Sequence, residues 1–192
     1  MPRPDRNRLS AALAAVLGAA TLSLLAVAGA AAAPQLLGIG TPVSPAEIAP
    51  WDIDASPGNG NLPPGRGSVA EGKAVYAQTC AACHGDKGEG RPPSYPALAG
   101  GIGTLDKAKP VRTVGSYWPY AETIFDYVHR AMPFNAPQSL TADQTYAVTA
   151  WLLNLNGLLP DDAVLDAKSL AAIRMPNRDG FTGDPRPDVK AR

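Results

Sequence analysis

Both cysteines of the chain stand three residues apart and are followed at once by a histidine, in Cys80-Ala81-Ala82-Cys83-His84. On a turn of helix, thiols at i and i+3 point the same way and an imidazole at i+4 lies close by on that face. This suits two thioether bonds to the vinyl groups of one porphyrin, with the imidazole as an axial ligand to the iron. The pentapeptide is the C-x-x-C-H attachment signature of c-type haem. A structural disulfide, a thioredoxin-like redox pair and half of a zinc site compete for the same residues. Zinc requires further Cys or His ligands, and His129 alone remains. The redox pair lacks a βαβ context, and a disulfide closing so short a loop has no use for the histidine. One covalent haem c is the expected cofactor, with thioethers at Cys80 and Cys83 and His84 on the iron.

The second axial position falls to His129, Met132, Met175 or nothing. With Ala121 at zero on a helical wheel, Val128 lies near about −20°, Met132 near about +20° and His129 near about +80°. The methionine continues the apolar stripe, whereas the histidine points off its edge. Met132 is favoured, because Pro133 ends the helix there and sends the chain into a loop that can hold a thioether rigidly. Thioether ligation raises the reduction potential relative to two imidazoles, which suits accepting electrons from an upstream donor.

Three helices must position these groups. Ser68 and Glu71 form a capping box ahead of a Val69, Gly72, Tyr76 stripe that ends near Cys80. Ala121, Ile124, Phe125 and Val128 mark a second helix, opened near Pro119 and closed before Pro133. Thr141 and Gln144 cap a third, running through Ala147, Val148, Trp151, Leu152 and Leu155 to Gly157. Tyr146 and Leu153 add apolar surface on its other side, so it is expected to be covered on more than one face. The loop from Gly85 to about Ser116 shows no alternating strand. The fold expected is all-α.

The chain has 192 residues, 45% apolar and 18% charged, with 17 basic and 17 acidic side chains. That balance, without a Lys/Arg-rich run, leaves no surplus for a phosphate backbone and argues against nucleic-acid binding. Gly and Pro together number 39, so the regular core is small and much backbone lies in loops. Arg3, Arg6 and Arg8 precede a charge-free run from Leu9 to Ala33, the pattern of a secretory signal. Cleavage is expected after Ala30 and an uncleaved membrane anchor is the alternative; either way the destination is the periplasm. The mature chain then carries 14 basic and 16 acidic residues.

From Ala31 to Gly67 seven prolines interrupt any helix, so this stretch reads as an extended arm. Leu36, Leu37, Ile48, Trp51 and Ile53 are too apolar for a solvated spacer, so the arm lies across the domain or against a partner. Residues 158–192, with four prolines and six charges of each sign, read as an irregular tail with at most one short helix near Ala167 to Arg174. The expected organisation is a signal at 1–30, an arm at 31–65, a haem domain at 66–157 and a tail at 158–192.

These residues resemble class I cytochromes c, through a glycine-bearing first helix, Cys80-Ala81-Ala82-Cys83-His84-Gly85, Pro96-Ala97-Leu98-Ala99-Gly100, Met132 and an aromatic-bearing last helix. The likeness covers roughly Arg66 to Gly157. It implies that the Pro96 carbonyl accepts the proton on the other ring nitrogen of His84, orienting the imidazole. It also implies that Gly72 and Tyr76 meet the last helix near Trp151. A narrower resemblance extends further: "TPVSPAEIAPWDID" from Thr41, "GNLPPGRGSVAEGKAVY" from Gly60, "VGSYWPYAETIFDYVHRAMPFNAPQSL" from Val114 and "RMPNRDGF" from Arg174 are similar to the cytochrome c subunits of sulfane dehydrogenases. They are similar, more loosely, to those of sulfite dehydrogenases. That family implies a partner subunit with a molybdenum cofactor, which oxidises the sulfur compound and passes single electrons to the haem. Some members carry a second haem domain; this chain has one C-x-x-C-H.

The expected function is thus a monohaem electron-transfer subunit of a sulfur-compound dehydrogenase, without substrate chemistry of its own, delivering to an acceptor such as another cytochrome. Tyr117 and Trp118 are expected near the haem edge, and Arg112 either neutralises a propionate or is simply solvated. A freely diffusing respiratory carrier is the alternative, and a haem enzyme such as a peroxidase would require an open iron position.

Overall fold

The computed structural model describes residues 39–58 and 60–186, so the signal region, both of its cleavage sites, Leu36 and Leu37 lie outside the described residues. The chain divides into two units, Met1–Ser44 and Pro45–Arg192. In the first, the described residues 39–44 are irregular and exposed. All the elements below belong to the second.

Reciprocal caps set the starts of the two helices that cross. The Ser68 hydroxyl accepts the Glu71 N–H at 3.2 Å, and the Glu71 carboxylate accepts the Ser68 N–H at 2.8 Å. Helix α2 (Val69–Thr79) begins there. Thr141 and Gln144 repeat the exchange at 3.2 and 2.9 Å to open α5 (Ala142–Leu155). Each cap contributes about 1 kcal/mol. Between them α4 (Ala121–Ala131) follows Tyr120, which makes no side-chain cap. The three helices run where the periodicity places them.

At the α2–α5 crossing, a Cβ on Gly72 would fall 1.8 Å from the Ala147 carbonyl oxygen. No side chain fits between the two backbones there. One turn further on, the Tyr76 and Trp151 rings meet with centroids 6.5 Å apart. Helix α5 is buried around most of its circumference, at Tyr146, Val148, Ala150, Leu152 and Leu153, because α2, α4 and the segment after Gly157 each cover a face. On α4 the expected stripe of Ala121, Ile124, Phe125 and Val128 is buried.

Two short strands were not anticipated. β1 (Arg66–Ser68) pairs antiparallel with β2 (Val164–Asp166), Gly67 opposite Leu165. Three-residue strands have no legible alternation, and Arg-Gly-Ser has little strand preference, so the approach of the chain ends decides the pairing. β2 leads into α6 (Ala167–Ala171), capped by Asp166 and Ser169. The segment beyond Gly157 thereby supplies Leu165, Leu170 and Met175 to the core.

The arm differs from the extended expectation at one place. Pro45 opens a single turn, α1 (Pro45–Ile48), because proline is tolerated at a first helical position, where its missing N–H has no partner to lose. The arm is then tied to the domain twice: Ala55 N–H donates to Asp126 Oδ1 at 2.8 Å, and the Tyr146 hydroxyl donates to the Pro63 carbonyl at 2.8 Å.

Candidate haem site

Helix α2 stops at Cys80, whose N–H still donates to Tyr76, and the chain re-enters a single helical turn, α3 (Ala81–His84). Within it, His84 N–H donates to the Cys80 carbonyl at 2.9 Å and Cys83 N–H to the same oxygen at 3.1 Å. The pentapeptide is thus one helical turn, as its spacing requires. Burial pushes the Cys80 thiol up from its ordinary value, whereas a redox-active cysteine has a lowered one. Both cysteines stand as free, half-buried thiols. Buried Tyr76 closes the turn from below by donating its hydroxyl to the Gly85 carbonyl at 2.8 Å. Burial, followed by the neighbouring Cys80, raises that phenol well above its usual value, so it remains a donor.

His84 is oriented by the loop after it. Its Nδ1 lies 2.9 Å from the Pro96 carbonyl oxygen, which leaves Nε2 for a metal. The Tyr95 ring meets the imidazole edge-on, 6.4 Å between centroids and 68° between planes. A chain of backbone bonds puts Pro96 and Tyr95 there. Gly90 N–H donates to the His84 carbonyl at 2.7 Å, Arg91 and Tyr95 exchange two bonds at 2.9 and 3.0 Å, and Leu98 N–H donates to Gly88 at 2.7 Å. At Gly90 the backbone is left-handed, with φ +78°, and a Cβ would fall 2.6 Å from Ala97 N.

One residue of this arrangement escaped the sequence reading. Buried Asn156, just past α5, accepts the Gly100 N–H at 3.0 Å and donates to the carbonyls of Leu98 at 3.1 Å and Leu152 at 2.8 Å. Its amide therefore clamps the segment that carries Pro96. In sequence it looks like an ordinary polar residue beside a helix-ending glycine, and only that position hints at a cap.

Among the axial candidates, Met132 sits at the end of α4 with extended backbone, N–H bonded to Val128 at 3.1 Å, its side chain partly buried against the core. His129 packs on Phe125, ring centroids 5.6 Å apart, and its Nδ1 is buried without a partner. Met175 is 1% exposed inside the core. A side chain lining a porphyrin pocket shows open surface in the polypeptide alone, as Cys80, Cys83, His84 and Met132 do and Met175 does not.

Tyr117 and Trp118 are half-buried ahead of α4. The Tyr117 ring meets Phe181 at 5.3 Å, its carbonyl accepts Asn177 Nδ2 at 2.6 Å, and the Arg112 guanidinium lies 5.5 Å over its face. Trp118 meets Tyr127 of α4 edge-on at 5.7 Å. The segment after α6 thus holds the aromatic loop in place.

Two free thiols and an imidazole with one nitrogen already engaged, all on one helical turn, fit a porphyrin that is bonded twice and ligated once. Among the described residues no group of three or more His, Cys, Asp or Glu side chains is arranged to hold a bare metal ion. Fold and site together define a domain for one c-type haem. Residues 69–156 match the cytochrome c family. Among solved structures, the crystal structure of the sulfane dehydrogenase SoxCD from Paracoccus pantotrophus contains a chain 49% identical to this one, with a TM-score of 0.73, covering 80% of this chain and 75% of that one. A search of curated proteins finds no match. The chain belongs to the cytochrome c family, in its all-α class I form, and is homologous to a chain of that dehydrogenase.

Proposed function

We propose that this chain is the periplasmic one-electron relay of a molybdenum-dependent dehydrogenase acting on a sulfane or sulfite substrate, passing electrons to a downstream acceptor such as another cytochrome. The length of the likeness supports this reading. Eighty per cent of 192 residues is about 154, against the 88 from 69 to 156 that make up the cytochrome c match. The likeness to a chain of the sulfane dehydrogenase structure therefore extends well beyond the haem domain. A diffusing carrier needs only that domain.

In this reading Cys80 and Cys83 hold the haem covalently, His84 and Met132 ligate its iron, and Pro96 keeps the His84 Nδ1 proton engaged. Bound haem supplies a one-electron couple. The polypeptide holds the ligands, excludes water through the packed α2–α5 crossing, and presents Tyr117 and Trp118 beside the cofactor. Each two-electron oxidation step of the sulfur substrate at the partner releases its electrons singly through this chain to the acceptor. Residues 1–30 act as the export signal, and among the described residues no helix is long and apolar enough to cross a membrane.

The test is to purify the haem-loaded protein from its producing cell, measure molybdenum, and add sulfite or a thiosulfate-derived sulfane substrate. Co-purified molybdenum and haem reduction by either substrate are expected. Reduction by neither, with the molybdenum protein present, overturns the reading.

A further inference from the structure

A single hydrogen bond leaves an imidazole free to turn. The bond between His84 Nδ1 and the Pro96 carbonyl fixes one ring atom, but hydrogen bonds tolerate a broad range of angles, so the ring can still swing about the line joining the two atoms. A second contact on the ring itself removes that freedom. It comes from Tyr95, whose ring lies 6.4 Å from the imidazole between centroids, with 68° between the planes. In such a crossed arrangement the positive rim of one ring meets the negative face of the other.

The backbone that carries Tyr95 is held from both sides. Arg91 and Tyr95 exchange two bonds, at 2.9 and 3.0 Å, which close Pro92-Pro93-Ser94 into a small antiparallel bridge. Pro96 follows directly, and a residue before proline is biased toward extended backbone. Gly90 passes so close that a Cβ there would fall 2.9 Å from the Tyr95 carbonyl oxygen and 2.8 Å from the Pro96 carbonyl carbon. Yet the Tyr95 side chain is 43% exposed and stands outside the buried core. Packing of the domain does not require an aromatic ring at this position, whereas the imidazole beside it has a use for one.

We propose that Tyr95 is a positioning residue for the iron ligand: its ring, carried on the same bonded turn as the Pro96 carbonyl, sets the direction of the His84 imidazole plane. The proposal rests on His84 as a ligand of haem iron and adds what orients it beyond Pro96. Two adjacent residues then act on one ring, Pro96 through its main chain on Nδ1 and Tyr95 through its side chain on the plane. The aromatic ring does this and not the hydroxyl, so phenylalanine serves equally. Loss of an aromatic pair shifts a balance between two orientations by about two- to tenfold.

The experiment compares full-length haem-loaded wild type with Tyr95→Phe and Tyr95→Leu, Met132 being unchanged in each, by proton magnetic resonance. In the oxidised protein the unpaired spin spreads over the porphyrin according to the direction of the imidazole plane, so the order and spacing of the haem methyl resonances report that direction. In the reduced protein, solvent exchange of the His84 Nδ1 proton reports how often the bond to Pro96 opens. Tyr95→Phe is expected to match wild type in both. Tyr95→Leu is expected to shift the methyl pattern and to speed the exchange by about two- to tenfold, while the backbone amides at positions 91 and 95 exchange as before. A methyl pattern in Tyr95→Leu identical to that of wild type overturns the proposal, and so does a shift in Tyr95→Phe as large as that in Tyr95→Leu. A wild type without histidine-ligated haem overturns the reading of the site itself. Should Tyr95→Leu fail to take up haem, Tyr95→Gln, whose polar side chain suits a half-exposed position, reads the same shift.

Discussion

The Nδ1 of His84 and the carbonyl oxygen of Pro96 lie 2.9 Å apart, a contact made across a loop of eleven intervening residues. Its geometry depends on Gly90, whose left-handed backbone lets the loop turn back against Ala97. Gly90→Ala is expected to move Pro96 away and weaken the bond to Nδ1. A less basic imidazole stabilises the oxidised iron less, so the reduction potential should rise, by about 30–60 mV for up to a tenfold change in the one-electron equilibrium. Redox titration of the haem-loaded variant measures it, and an unchanged potential would show that the contact does not tune the iron.

Asn156 makes a second prediction, one about stability. Asn156→Leu removes partners from the Gly100 N–H and the Leu98 carbonyl, and each buried group left unpaired costs about 1–3 kcal/mol. Denaturant unfolding should show a loss in that range or somewhat above it. Hydrogen exchange of the Gly100 amide should accelerate in step.

For the sixth ligand, Met132→Ala is expected to abolish the absorption band of thioether-to-iron ligation and to lower the potential. Met175→Leu, which changes a residue closed inside the core, should keep the band at some cost in stability. Wild-type protein lacking the band from the outset would point instead to His129 on the iron or to an open position with peroxidase-like chemistry.

Asp126 governs how the arm responds to pH. Burial pushes its carboxyl up, but the Arg130 guanidinium and the Ala55 N–H outweigh that and hold it below its ordinary value. A depressed carboxylate contributes stability above its unfolded value of about 4 and loses it as pH falls through the folded one. The arm should therefore stay anchored at neutral and mildly acidic pH and release only below about pH 4. Hydrogen exchange of the Ala55 amide reports this, and Asp126→Ala, which removes the acceptor, should expose that amide at every pH.

Legibility in sequence follows the range of the interaction concerned. The C-x-x-C-H turn, the two capping boxes and the apolar stripes of α2, α4 and α5 are local patterns, and each sits where its spacing indicates. The Pro96 contact was reachable only through resemblance, because nothing within Pro96-Ala97-Leu98-Ala99-Gly100 states which distant group its carbonyl will meet. Asn156 was missed for the same reason: its three bonds reach residues 4, 56 and 58 positions away, and side-chain type alone does not name them. The turn at Pro45 lay hidden because prolines read as helix breakers unless the helix starts on them.

By itself, then, the sequence determined the helical turn of the C-x-x-C-H pentapeptide and the three helices, since these depend on residue types at fixed short spacings that backbone geometry converts directly into shape. The tertiary structure alone decided three things. It closed Met175 inside the core, it made Asn156 the clamp of the Pro96 loop, and it pinned the proline-rich arm to Asp126 while leaving Trp51 in solvent. Those outcomes depend on which distant segments come together, and close packing around the α2–α5 crossing selects among arrangements that local preference leaves nearly equal in energy.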